Sequence, residues 1–217
     1  FRVNTNVDAH THAKITTGLS ENKFGINMSQ ISSVIKEANT LSNIEVVGLH
    51  FHIGSQITDM SAFKDLCIKA MLHGKNVISE KPCCLNMEEL EEVISVSQKT
   101  GKLYTVHQNR RLDQDFQIMK KIYEDNMLGN VFRIESRVQG SREIAPTWRR
   151  NKVNGGGMLY DWGVHLIDQI LYLIDSKVTS VYAEFQYLRQ DEVDENVRVQ
   201  MKFENGLSVL VEIGTCN

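Results

Sequence analysis

The chain has 217 residues, 41% of them hydrophobic, and a formal net charge of -3. That is enough apolar material for one sizeable core or two small ones. Its basic residues are scattered, and neither a signal peptide nor a membrane-spanning run is recognisable, so no nucleic-acid or membrane partner is expected. Four cysteines, Cys67, Cys83, Cys84 and Cys216, show no metal-ligand or disulfide-framework spacing, which points to a reducing cytoplasm.

The first element is a short strand, Phe1 to Asn4, beginning abruptly, and the chain stops just after another strand at Asn217; both ends read as cut. A polar loop runs from Thr5 to Asn22. The spacing of Ile31, Val34, Ile35 and Ala38 predicts a helix from about Ser29 to Thr40, with Ser29 as N-cap. Ile44 to Ile53 reads as a buried strand, so this is a β-α-β unit with parallel strands. Gly54, Ser55 and Gln56 follow at the strand's C-terminal end, and His50 and His52, two apart, point to one side.

Val7-Asp8-Ala9-His10-Thr11-His12, Thr17-Gly18-Leu19, Asn22-Lys23-Phe24-Gly25 and Gly48 through Gln56 together resemble diaminopimelate decarboxylase, a pyridoxal-phosphate enzyme with an (α/β)8 barrel. The resemblance implies that His52 stacks on the pyridoxal ring and that Gly54 and Ser55 help hold its phosphate. Backbone N-H groups and a hydroxyl at a strand-to-loop corner suit that anion. The Schiff-base lysine, the later glycine-rich phosphate loop and the acidic partner of the ring nitrogen are not in this stretch, and two strands cannot close a barrel. A rival reading takes His10-Thr11-His12 and His50-Phe51-His52 as metal-binding pairs of the barrel metallohydrolase type. For His10 and His12 the plain alternative is a solvated loop.

The character changes between Met60 and Lys64. A helix from Lys64 to Leu72 ends at Gly74, and Asn76 to Ser79 forms a strand running into Glu80-Lys81-Pro82. Asn86 caps a second helix that stops near Gly101, and Leu103 to Val106 leads into His107-Gln108-Asn109-Arg110-Arg111. Alternation of this kind implies a parallel sheet with helical crossovers. The Glu80-Lys81-Pro82 tripeptide in its setting resembles the Gfo/Idh/MocA oxidoreductases, in which the Lys-Pro bond is usually cis. The resemblance implies that Lys81 faces substrate and that Glu80, Pro82, Asn109 and Arg110 lie beside the nicotinamide. Without it, Glu-Lys-Pro is a charged loop and the arginines are solvated. The Gly-x-Gly-x-x-Gly turn of the first half of such a domain is not in this chain.

A helix from Gln114 to Asn126 is broken at Leu128-Gly129, and Val131 to Val138 alternates as a half-buried strand. A polar loop from Gly140 to Asn154 contains Trp148 and Arg149. Gly155-Gly156-Gly157 opens a helix, read as a flexible entry, on which Asp161, His165, Asp168 and Tyr172 share a sector of roughly 60° at about 100° per residue. An Asp four residues before a His can orient the ring of a general base; the bland reading is a solvated i,i+4 pair. Stretches at Val178 to Leu188, Val197 to Glu204 and Leu207 to Ile213, the last two joined by Asn205-Gly206, predict an antiparallel sheet with one wet side. The oxidoreductase resemblance extends through this region. It implies that His165 is the general base, that Lys81 stabilises the alkoxide, that Asp161 orients His165 or contacts substrate, and that Trp148 and Arg149 lie near the cofactor.

The expected fold class is α/β and α+β: a partial parallel α/β portion, then an open, mainly antiparallel sheet with helices on one face. Three parts are expected: residues 1–63 from a decarboxylase barrel, 64–111 from the second half of a dinucleotide-binding domain, and 112–217 from a substrate domain. A natural or artefactual fusion of fragments fits this pattern. The expected function is an NAD- or NADP-dependent oxidoreductase acting on a small sugar-like or polyol substrate, incomplete and inactive alone, self-associating through its C-terminal sheet. The alternatives are a pyridoxal-phosphate decarboxylase fragment and a non-catalytic product.

Overall fold

The computed structural model describes residues 1–4, 25–51, 61–189 and 192–215. His52, Gly54, Ser55, His10 and His12 therefore lie outside the described residues. Two compact units divide between Asp59 and Met60.

In the first unit, β1 (Arg2–Asn4) pairs in parallel with β2 (Ile26–Asn27) on one side and β3 (His50–Phe51) on the other. The helix α1 (Ile31–Ala38) buries Ile31 and Ala38. Ser29 is not its cap. Gln30 occupies that place without a side-chain bond, because the Ser29 N-H and hydroxyl are both taken up by Asn27 Oδ1. The strand expected from Ile44 to Ile53 is ladder-bonded only at His50–Phe51 among the described residues, and β2 falls where no strand was expected.

The second unit begins with α2 (Ser61–Leu72), β4 (Val77–Ser79), α3 (Met87–Thr100) and β5 (Tyr104–Val106), the two strands pairing in parallel. Asn86 accepts the Glu89 N-H at 2.9 Å, an N-cap of the expected kind, and α3 ends at Gly101 with φ 64°. Helix α4 (Gln114–Glu124) then leads to β6 (Arg133–Gln139), α5 (Val164–Leu173), β7 (Val178–Gln186), β8 (Asn196–Phe203) and β9 (Ser208–Gly214). The sheet order is β6-β9-β8-β7. Its β6–β9 pair is parallel, so the sheet is mixed, with two antiparallel pairs and one parallel.

One face of that sheet carries the core. Val197, Val199, Met201 and Phe203 of β8 alternate inward and are each at most 5% exposed. Val209, Val211 and Ile213 of β9 join them beneath Leu166, Ile170 and Leu173 of α5 and Phe116 of α4. Strand β7 departs from the expected half-burial, since every residue after Val178 is exposed. It is an edge strand, and Val181, on its inward register, is 62% exposed. Leu171 of α5 is exposed as well.

The glycine-led entry is packed rather than loose. A Cβ on Gly156 would stand 2.5 Å from the Arg149 carbonyl oxygen, and one on Gly157, at φ +103°, would collide with the Asp194 carboxylate. Asp194 accepts the Met158 N-H on its backbone oxygen at 3.0 Å and the Leu159 N-H on Oδ2 at 2.8 Å, occupying the helix start. Residues Leu159–Gly163 form a π-helical turn, with the Val164 N-H reaching the Leu159 carbonyl, before regular α5 begins.

Candidate active site

Strand β4 ends at Ser79, and the Lys81–Pro82 bond that follows is cis. Lys81 donates from Nζ to the Asp161 backbone oxygen at 2.6 Å and to Asp161 Oδ1 at 3.2 Å. The other Asp161 oxygen accepts from Arg149 Nε at 2.8 Å. Asp161 and Lys81 side chains are 17% and 18% exposed, so this is a partly desolvated triad of two cations on one carboxylate. Burial alone would raise the Asp161 pKa, but the Arg149 hydrogen bond and the Lys81 charge outweigh it and hold the carboxyl below its usual value.

The expected Asp161–His165 contact is not what this arrangement uses. The π turn changes the angular step between the two residues, and both Asp161 oxygens are committed to Lys81 and Arg149. His165 is 6% exposed and its Nδ1 has no hydrogen-bond partner. Burial, then the nearby Lys81 and Arg110 charges, push the imidazole pKa below its usual 6.5, despite the opposing pull of Asp161. His165 is therefore a neutral ring at pH 7, held edge-on against Trp162 at 6.2 Å between centroids.

The remaining expected residues fall around this centre unequally. Arg110 lies over the Trp162 ring, 4.1 Å from its centroid, and pairs with Asp113 at 2.8 Å. Arg149 lies over the Trp148 ring at 4.6 Å, which brings Trp148 to the Asp161 side. Asn109 is exposed, and Glu80 points outward to His107 Nδ1 at 3.0 Å, away from Lys81. Asp168, counted with the polar wedge, is the bidentate partner of Arg111 at 2.7 and 2.6 Å. That pair and the Gln169 Nε2 donation to the Arg110 carbonyl at 2.7 Å clamp residues 109–112 against α5. Tyr160 pins the loop after Pro82 by donating to the Leu85 carbonyl at 2.6 Å.

Sequence reasoning gave no role to Trp162, which orients both Arg110 and His165, or to Gln108, whose Oε1 is buried without a partner. A periodicity argument marks Trp162 only as an apolar helix residue. Among the described residues no group of three or more His, Cys, Asp or Glu is placed to hold a metal, and no helix is long and apolar enough to cross a membrane.

Comparison with known proteins separates the chain in two. The family "GFO/IDH/MocA C-terminal domain" matches residues 116–217, and the family "Pyridoxal-dependent decarboxylase, pyridoxal binding domain" matches residues 1–103. A diaminopimelate decarboxylase of Bacteroides thetaiotaomicron is 60% identical over 67 residues, 31% of this chain and 17% of that protein. The scyllo-inositol 2-dehydrogenase (NADP(+)) of Bacillus subtilis is 36% identical over 108 residues, 49% of this chain and 29% of that enzyme. Among solved structures, an NAD-binding protein from Listeria innocua superposes with a TM-score of 0.70 and 35% identity, over 86% of this chain and 64% of that one. The chain thus spans less than a third of either curated relative.

Proposed function

We propose, from a chain whose residues 116–217 match the GFO/IDH/MocA C-terminal domain and whose residues 1–103 match the pyridoxal binding domain of decarboxylases, that the part beyond the first unit is the substrate side of an NAD(P)-dependent oxidoreductase. It acts on a sugar-like or polyol hydroxyl by hydride transfer, and the chain alone is incomplete and inactive. The observation that carries this reading is the meeting of Lys81, from the end of β4, with Asp161 beside a buried, neutral His165.

The described residues fit the reacting end of a nicotinamide dinucleotide and not its phosphate end. Lys81 and Arg110 both bear on His165, while the glycine-led helix start is packed by the Asp194 carboxylate and offers a phosphate no room. Such a dinucleotide, when bound, supplies the hydride acceptor. The chain contributes the rest. His165 takes the hydroxyl proton, Lys81 stabilises the negative charge growing on that oxygen, and Asp161 with Arg149 holds the Lys81 ammonium in position. NAD and NADP are both consistent with this part of the site.

The test has two arms. Titration of NADH and of NADPH, followed by nicotinamide fluorescence, is expected to show no saturation, and saturable binding overturns the claim of incompleteness. A cyclitol such as myo-inositol is expected to shift the His165 imidazole resonances, and to cease doing so in Lys81→Ala; a shift that survives that change overturns the substrate site.

The second reading, a pyridoxal-phosphate decarboxylase fragment, is favoured by the 60% identity at the N-terminus. An absorbance titration with pyridoxal phosphate checks it. Self-association belongs to the same proposal, supported by a depression of about 390 Å³ on the solvent face of the four-stranded sheet, lined by Arg133, Tyr182, Gln200 and Lys202. We place the protein in the cytoplasm with a small-molecule substrate and no nucleic-acid or membrane partner, in keeping with its scattered basic residues and free thiols.

A further inference from the structure

Two cations share one carboxylate at the candidate site. Lys81 Nζ reaches Asp161 Oδ1 at 3.2 Å, and Arg149 Nε reaches Oδ2 at 2.8 Å. The neighbouring arginines are matched one to one, Arg110 with Asp113 and Arg111 with Asp168. The Lys81–Asp161–Arg149 group therefore carries a surplus positive charge, and the Lys81 and Asp161 side chains in it are only 18% and 17% exposed. A surplus charge partly withdrawn from water favours an anion that arrives with the ligand.

That charge has a fixed place. Arg149 is held at its Nε by Asp161 and along its guanidinium by the Trp148 ring, 4.6 Å from centroid to carbon. Its backbone is held by the glycine-led helix start, where the Gly157 N-H donates to the Arg149 carbonyl at 2.9 Å. An arginine has five N-H donors, and the Asp161 bond uses the one on Nε. Among the described residues the two terminal nitrogens of Arg149 donate to nothing, and the side chain is 40% exposed. They form a planar fork that is already oriented, so a ligand meets little ordering cost there.

We propose that Arg149 is a specificity-determining residue of this site, its terminal nitrogens receiving a carboxylate on the same molecule whose hydroxyl lies at Lys81 and His165. The preferred substrate is then an acidic sugar, a polyhydroxy carboxylate, and not a neutral one. This rests on the polyol reading above and narrows it. One surplus charge matches one carboxylate, which is planar like the fork. A phosphate monoester, with a charge of about -1.5 to -2 at neutral pH, overshoots it. Lys81 and Arg149 stand on the two oxygens of a single carboxyl group, so the acid and the reacting hydroxyl belong to one sugar unit.

The experiment compares D-glucuronate with D-glucose, which differ in carrying a carboxylate or a hydroxymethyl group, on the full chain by the fluorescence of Trp148 and Trp162. The wild-type chain is expected to bind glucuronate about tenfold or more tightly than glucose, with a ratio that shrinks as NaCl is added. Arg149→Met, without charge or fork, should bring the ratio close to one. Arg149→Lys, which keeps a cation against Asp161 but loses the fork, should lower it part of the way, and it carries the test if the methionine variant fails to fold. Equal binding of the two sugars by the wild type, or a ratio unchanged in the variants, overturns the role of Arg149 and leaves the polyol reading standing. Glucose 6-phosphate is expected to bind less tightly than glucuronate, and the reverse order overturns the carboxylate. If the wild-type chain binds neither sugar nor sugar acid, the polyol reading falls and the role of Arg149 with it.

Discussion

Asp161 is claimed from both sides by cations, and this decides the chemistry of its neighbour. Because Lys81 and Arg149 take its two oxygens, His165 has no carboxylate bonded to Nδ1 and stays neutral. An imidazole titration by NMR is expected to find the His165 midpoint below 6.5, and Lys81→Met should raise it by removing a nearby positive charge. The linkage has a definite sign. The folded pKa lies below the unfolded one, so the unfolded chain binds more protons on acidification, and stability falls as pH drops below 6.5 and recovers above it. His165→Leu should flatten that dependence in urea melts run from pH 5 to 7. Asp161→Asn is expected to cost about 1–3 kcal/mol by leaving two partly buried cations without their carboxylate; an unchanged urea midpoint would remove the triad from the stabilising contacts. The residue types of this centre were legible, since Lys81, Asp161 and His165 stand in order beside recognisable motifs. Their pairing was not, because an i,i+4 spacing assumes a regular helix and Leu159–Gly163 is a π turn.

At the scale of elements, the legible features were those with a local signature. The Asn86 cap, the Asn205-Gly206 hairpin and the alternation of β8 each follow from a few neighbouring residues. The burial of β7 and the partner of β6 were hidden, since alternation marks an amphipathic strand without saying what covers it, and parallel pairing joins residues far apart in sequence. The contrast is measurable. Ile213→Ala, in β9 and 2% exposed, should cost about 2–5 kcal/mol, while Val181→Ala on β7 should stay within about 0.5 kcal/mol. Gly157→Ala should destabilise by more than about 1 kcal/mol, because the positive φ and the Asp194 carboxylate both oppose a side chain there. Equal melting midpoints for Gly157→Ala and the wild type would mean that the helix entry yields where the packing says it is closed.

Across the whole molecule, the chain resembles two enzyme families and folds as two units dividing between Asp59 and Met60, close to where the sequence changes character between Met60 and Lys64. What the motifs could not convey is the order in which the second unit can be assembled. Strand β9 sits between β6 and β8, and among the described residues it is the sole ladder partner of β6. A ribosome that has released the chain only as far as the β8–β9 hairpin exposes a β6 with nothing to pair, while α4 and α5 wait over half a sheet. Structure in this unit therefore cannot close progressively from its N-terminal side; it closes when the last strand folds back on β8 and slides in beside β6, made long before, so β6 waits unpaired through most of the unit's synthesis. Arrest of translation just before Ser208 should leave a protease-sensitive chain, and arrest behind an added C-terminal linker that clears the ribosome a resistant one.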